Sequence, residues 1–227
     1  MKKVYLYGAG GHAKVILDIL KSNNLTVSEI YDDNPEIKIF ENIPVVQKNI
    51  CSPLIISIGN NAVRKKIAEN LSEINYYPAV CAKSAIVSGK AEVDIGTVVM
   101  QGVAIQHSAK IGKHCIVNTS ASIDHDCKIG DFVHIAPHAT LCGNVEVGEG
   151  TLIGAGAVVV PNIKIGKWAV IGAGSVVVND IPDYATAYGN PCKIRKQKKN
   201  FDLENRSQTV IFDLEKRNQT IVFGLEK

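Results

Sequence analysis

From Val87 to Val177 every sixth residue is Ile, Leu or Val, sixteen positions without a break. With such residues at about 0.3 of positions, chance gives that run a probability of about 10⁻⁸. Two residues before these aliphatics stand small ones, among them Ala91, Ala109, Ala121, Cys127, Ala139, Ala157, Ala169 and Ser175. Glycine often follows the aliphatic, as at Gly112, Gly130, Gly148, Gly154, Gly166 and Gly172. An ordinary sandwich strand alternates with a period of two and gives no reason for an unbroken period of six.

The pattern resembles the hexapeptide repeat of the left-handed parallel β-helix, in which three hexads complete one triangular coil. The aliphatic residues are then expected to fill the prism and the small ones its corners. The glycines are expected to serve turns that need positive φ. One coil is eighteen residues, so residues eighteen apart should stack at about 4.8 Å, the strand spacing. Each coil of a solenoid touches only its neighbours, and its ends need capping.

Residues 1–80 follow another rule. "KVYLY" reads as a strand, "GAGGHA" as a glycine-rich turn, and the next segment as a helix with Val15, Ile16, Ile19 and Leu20 on one face. A second strand ends at "EIYDD" and a third is "PLIISIG". "NNAVRKKIAENL" is a helix with Val63, Ile67 and Leu71 at helical spacing. This is a small Rossmann-like βαβ domain. Gly8, Gly10 and Ala13 match G-x-G-x-x-G/A, with Asp32 and Asp33 near the spacing at which an acid grips a ribose. The domain stops after about three strands, with no second half to hold a nicotinamide. A glycine turn opening a helix binds any pyrophosphate through its N–H groups, so a nucleotide sugar fits better than NAD. Gly11, His12, Gly59, Asn60 and Arg64 lie where they could line the same nucleotide, His12 alternatively packing at the helix N-terminus.

Composition removes other classes. At 46% hydrophobic and 21% charged the chain is an ordinary globular protein, and a net charge of +3 leaves no nucleic-acid footprint. No run approaches the ~18 apolar residues of a membrane span, and glycines interrupt the faint signal-like start. The six cysteines form no CxxC pair and no Cys/His metal spacing, so a reducing cytoplasm and no metal are expected.

"YGAGGHAKV", "DD", "IGNNAVRKKI", "VNTSASIDHDCKIGDFVHIA", "LCGNVEVG" and "GNPCK" together resemble the NeuD-type sugar acyltransferases, nearest the UDP-4-amino-sugar N-acetyltransferases of the bacillosamine pathway. The resemblance covers about residues 1–195. It implies acetyl-CoA as donor, a nucleotide-linked amino sugar as acceptor, and a homotrimer with sites between subunits. By the family pattern His125 is the general base, Asp126 its partner in place of the usual Glu, and Asn118 lies with the substrate. His134 and the backbone of Gly143 would lie at the acetyl group.

The spacing adds to this. His107, His125 and Gly143 fall in one column, which puts the Gly143 N–H one coil from the imidazole and suits it to an oxyanion. His134 is half a coil from His125, so the two can share a site only across a subunit interface. Ala155, Gly156, Ala173 and Gly174 present small residues along one edge where a pantetheine arm could lie, with Lys193 placed for a CoA phosphate. His107 and His138 are read as structural or peripheral, and a metal at Asp124–His125–Asp126 is disfavoured because no second ligand cluster accompanies it.

The expected organisation is therefore a nucleotide-sugar domain over 1–80, a β-helix acetyltransferase domain over 81–195, and a tail over 196–227. That tail has an eleven-residue repeat anchored on Phe201, Phe212 and Phe223 and carries no functional reading. The alternatives are a sialic acid O-acetyltransferase using the same base, and a catalytically silent nucleotide-sugar-binding scaffold.

Overall fold

A computed structural model describes residues 3–197. The repetitive tail lies outside the described residues. The N-terminal unit is a five-stranded sheet of β1 (Lys3–Tyr7), β2 (Thr26–Tyr31), β3 (Ile39–Phe40), β4 (Ile43–Val46) and β5 (Leu54–Ile56), in the order β3-β4-β2-β1-β5. It carries helices α1 (Gly11–Ser22) and α2 (Asn61–Asn70). All pairings are parallel except the β3–β4 hairpin. The hairpin was not anticipated, because its two strands are too short to show a period. Helix α1 buries Ala13, Ile16, Ile19 and Leu20 as its spacing implies. Helix α2 does not follow its expected face. Val63, Ile67 and Leu71 are only half-buried, and the buried stripe is Arg64 and Ala68.

From Val80–Cys81 onward the chain winds as a left-handed parallel β-helix of two-residue strands. Successive strands on each face pair eighteen residues apart, as in Ala104↔Ser122, Lys110↔Lys128 and Ile116↔His134. The sixth-residue aliphatics from Val99 to Val177 point inward into one continuous core, with the small residues of the repeat buried beside them. Backbone φ is positive at every sixth residue from Gly96 to Gly174, three places before each aliphatic. The glycines that follow the aliphatics are not these turn residues, which corrects the expectation above. They are needed because the next coil comes too close for a side chain: a Cβ at Gly112 would lie 2.8 Å from the Gly130 carbonyl carbon, and one at Gly154 would lie 2.6 Å from the Ala173 nitrogen.

The three faces differ in what they turn outward. One carries Glu92, Lys110, Lys128, Glu146 and Lys164 in register, with ion pairs such as Lys110–Glu92 at 3.1 Å. A second carries Ile86, Ala104, Ser122, Thr140, Val158 and Val176, without a charge. The third begins with Val80, Val98 and Ile116, which are buried under the N-terminal unit and share one apolar cluster with Val4, Leu6, Ile16 and Leu20. An antiparallel strand, Lys193–Gln197, closes the far end of this face against Ala185–Tyr188.

Candidate functional site

The corner after Ile123 holds the densest chemistry of the β-helix. Asp124 Oδ1 accepts the His125 N–H at 2.8 Å and fixes the turn. Asp126 sits at φ 61°, in the left-handed region, which swings its carboxylate back so that Oδ2 meets His125 Nδ1 at 2.8 Å. The shorter acid therefore reaches the ring. With Nδ1 engaged, Nε2 is left facing outward. The bond to Asp126, then the charge of Asp124, raise the His125 pKa above the ordinary imidazole value.

Gly143 lies one coil on, directly under the ring: a Cβ there would stand 2.6 Å from His125 Cε1 and 2.7 Å from Nε2. Its carbonyl accepts from Asn162, and among the described residues its N–H has no acceptor. The column expected from spacing is present. His107 continues it, with Nδ1 on Ser108 Oγ at 2.7 Å.

A second group gathers where the N-terminal unit meets the third face. The loops after β1, β2 and β5 lie at the carboxyl ends of adjacent parallel strands, the usual ligand crevice of an open α/β sheet. Gly8 takes φ 112°, and a Cβ there would run into Ile58. Gly10 caps α1 with no side chain, and Gly10, Gly11 and Gly59 face open space.

The two acids are partly spent on the protein. Asp32 accepts from the Ala9 and Asn34 N–H groups, and Asp33 Oδ1 accepts from the Tyr7 hydroxyl at 2.7 Å. Only Asp33 keeps an unused oxygen. Asn60 caps α2, accepting from Ala62 and Val63.

Arg64 departs from expectation altogether. Its guanidinium is fully buried and bonded to the chain's own carbonyl groups, so it does not reach a nucleotide.

His134 lies at the same junction. Asn118 Oδ1 accepts the Thr119 N–H, so Asn118 Nδ2 donates to His134 Nε2 at 3.1 Å. The Gly59 backbone lies near the ring and opposes the lowering of its pKa. Burial, then Arg64 and His12, lower its pKa to about 3, so the ring is neutral. Asn118 takes one ring nitrogen within the subunit, and the ring lies beside the Gly59 loop at the junction of the two units. Its placement opposite the His125 corner agrees with the half-coil spacing. His12 packs close by with Nε2 buried and unpartnered, and burial, aided by the Arg64 charge, lowers it to about 4.

Ala155, Gly156, Ala173 and Gly174 form an exposed ledge, with no atom within 4 Å of a Cβ placed at Gly156 or Gly174. The ledge shares a corner with His138, not with His125. Tyr188 packs on Gly172 and pairs with Lys193, which places Lys193 at the far end of that ledge. The junction residues Asn61, bonded to Gly150 and Thr151, and Lys65, bonded to Glu149, were not singled out by sequence. Nothing periodic marks them. Among the described residues no cluster of three His, Cys, Asp or Glu side chains could hold a metal, and no helix is long and apolar enough to cross a membrane.

Residues 3–71 match the family described as the PglD N-terminal domain, and residues 99–200 match that of the GMPPB C-terminal domain. A perosamine N-acetyltransferase from Caulobacter crescentus, solved with CoA and GDP-perosamine, is 36% identical, covers 87% of this chain and 98% of its own, and superposes with a TM-score of 0.82. The acetyltransferase domain of PglB from Neisseria gonorrhoeae is 35% identical, with 86% and 100% covered and a TM-score of 0.79. A UDP-N-acetylbacillosamine N-acetyltransferase of Bacillus subtilis is 42% identical over 114 residues, 44% of this chain. The matches span 24% and 52% of the lengths of two curated relatives, a mimivirus protein and the Bacillus enzyme.

Proposed function

Because the chain belongs to the NeuD-type sugar acyltransferases, we propose that it moves an acetyl group from acetyl-CoA to the amine of a nucleotide-linked sugar. The acceptor is a UDP-linked 4-amino-4,6-dideoxy sugar. The pyrophosphate lies over the open glycine turn at the start of α1, and Asp33 offers its free oxygen to the nucleoside. Acetyl-CoA extends its pantetheine arm along the small-residue ledge toward Lys193. Both co-substrates belong to the cytoplasm.

The observation that carries this reading is the His125–Asp126 pair lying on Gly143. His125 Nε2 takes a proton from the sugar ammonium, and the freed nitrogen attacks the thioester carbonyl. Charge gathers on the carbonyl oxygen, where the unengaged Gly143 N–H is placed to donate. The C–S bond then breaks, the imidazolium returns its proton to the CoA sulfur, and the acylated nitrogen sheds its second proton to water, leaving a neutral amide and free CoA. No covalent intermediate is needed, so Cys127 and Cys142 have no part in it.

The outer faces support a homotrimer. One is charged, one is partly covered by the chain's own N-terminal unit, and the uncharged face with Thr140 and Val158 is the natural interface.

The test is mass spectrometry of acetyl-CoA mixtures with UDP-, dTDP- and GDP-4-amino sugars. An acetylated UDP sugar is expected, and His125→Ala should lower kcat by about 10²–10⁴. Acetylation of free sialic acid instead, with UDP silent in calorimetry, moves the protein to the O-acetyltransferase branch. Nucleotide binding without any acetyl transfer would make it a scaffold.

A further inference from the structure

Arg64 heads the fully buried side chains by volume, yet among the described residues no carboxylate pairs with it. All five of its N–H donors are spent on the protein. Nε donates to the His114 carbonyl at 2.7 Å and Nη2 to the Phe132 carbonyl at 2.9 Å, on successive coils of one β-helix corner. Nη1 donates to the carbonyls of Ile58 at 2.9 Å and Gly59 at 3.2 Å, in the loop after β5. The remaining donor meets Asn61 Oδ1 at 2.8 Å. A single rigid fork therefore ties one loop of the N-terminal unit to two coils of the β-helix.

A buried cation without a counter-ion is a costly fastening where apolar packing would hold two units together as well. What the planar guanidinium adds is direction: five acceptors on three segments must stay in one geometry. The constraint passes onward. Ile58 is pressed against Gly8, leaving no room for a Cβ, and Ser57 Oγ donates to the Gly8 carbonyl at 2.7 Å. A shift of the Ile58–Gly59 loop must therefore move the glycine turn that opens α1.

We infer that Arg64 is a positioning residue for the nucleotide sugar: by fixing Ile58 and Gly59 to the β-helix it holds the nucleotide crevice in place without touching either substrate. The inference rests on the proposed function only for the identity of the ligand.

The experiment uses the full chain as wild type, Arg64→Lys and Arg64→Met. UDP binding is measured by calorimetry, with KM for both co-substrates and the pH–rate profile. Nucleotide-sugar KM should rise about tenfold in Arg64→Lys, which keeps the charge but not the fork, and about a hundredfold in Arg64→Met. Acetyl-CoA KM should stay within about twofold, and the acid limb should not move, because His125 stands on another corner. An unchanged nucleotide-sugar KM in folded Arg64→Met, or an equal rise in both KM values, overturns the inference. Should Arg64→Met fail to fold, Asn61→Ala decides. It loses one Arg64 acceptor and the links to Gly150 and Thr151, and should raise nucleotide-sugar KM about threefold; no rise overturns the inference. If wild type binds no UDP, dTDP or GDP, the functional reading falls and this inference with it. Wild-type binding that Arg64→Met leaves unchanged removes this inference alone.

Discussion

Asp126 occupies a backbone conformation that costs an ordinary L-residue about 1–2 kcal/mol, and the same corner position on the next two coils is held by Asn144 and Asn162. At Asp126 the conformation turns the carboxylate onto His125 Nδ1. That contact is the main reason the imidazole holds its proton more tightly than usual, with Asp124 second. The sign follows: a raised pKa keeps the ring protonated to higher pH, so the base form appears only as pH climbs past the ordinary value of about 6.5. The acid limb of kcat/KM should accordingly lie above that value in the wild type. Asp126→Asn should shift the limb downward and lower the plateau about tenfold, because the ring loses its orienting charge but keeps its place. A limb that does not move when kcat/KM is measured from pH 5 to 9 would separate Asp126 from the proton that limits the rate.

At the scale of one coil, the imidazole and Gly143 share a space that holds only one of them plus a hydrogen. Gly143 is not at positive φ, so alanine there carries no backbone strain. Gly143→Ala should lower kcat by about 10² by pushing the ring off its seat while leaving Tm within about 2 °C, since the new Cβ meets only the exposed His125 ring. Loss of Tm together with activity, read by calorimetry, would make Gly143 a packing residue only. This stacking was legible in the sequence because the coil has a fixed length of eighteen, so register alone places His125 over Gly143. Helix α2 was not legible. Helical periodicity weighs apolar residues and favoured Val63 and Ile67, whereas the docked β-helix buries Arg64 by offering it the carbonyls of His114 and Phe132. Those partners lie 50 and 68 residues away in the chain, and no local pattern announces them. The surroundings of His134 were hidden for the same reason: Arg64 and His12 come near its ring only once the two units pack.

Within one subunit the His125 corner and the nucleotide crevice cannot meet, because the crevice sits against the face that carries His134 and His125 lies at the corner opposite it. The proposed chemistry then requires that one subunit supply the base and its neighbour the nucleotide, which a three-fold ring provides at each interface. Two variants test this without disturbing the fold. His125→Ala removes the base. Gly10→Val places a side chain over the glycine turn, at an extended backbone position with nothing within 4 Å, so it blocks only an approaching ligand. Each alone should be nearly inactive. After subunit exchange at equal concentrations, a site works only when its base comes from a Gly10→Val subunit and its crevice from a His125→Ala subunit. Random assembly makes that combination about one quarter of all sites, so about a quarter of wild-type activity should return. If base and crevice served one site within a single subunit, mixing would restore nothing. Light scattering on the mixture supplies the control: a trimer mass with verified exchange and no recovered activity would rule out the shared site, and a monomeric mass in the active wild-type enzyme would rule out the ring itself.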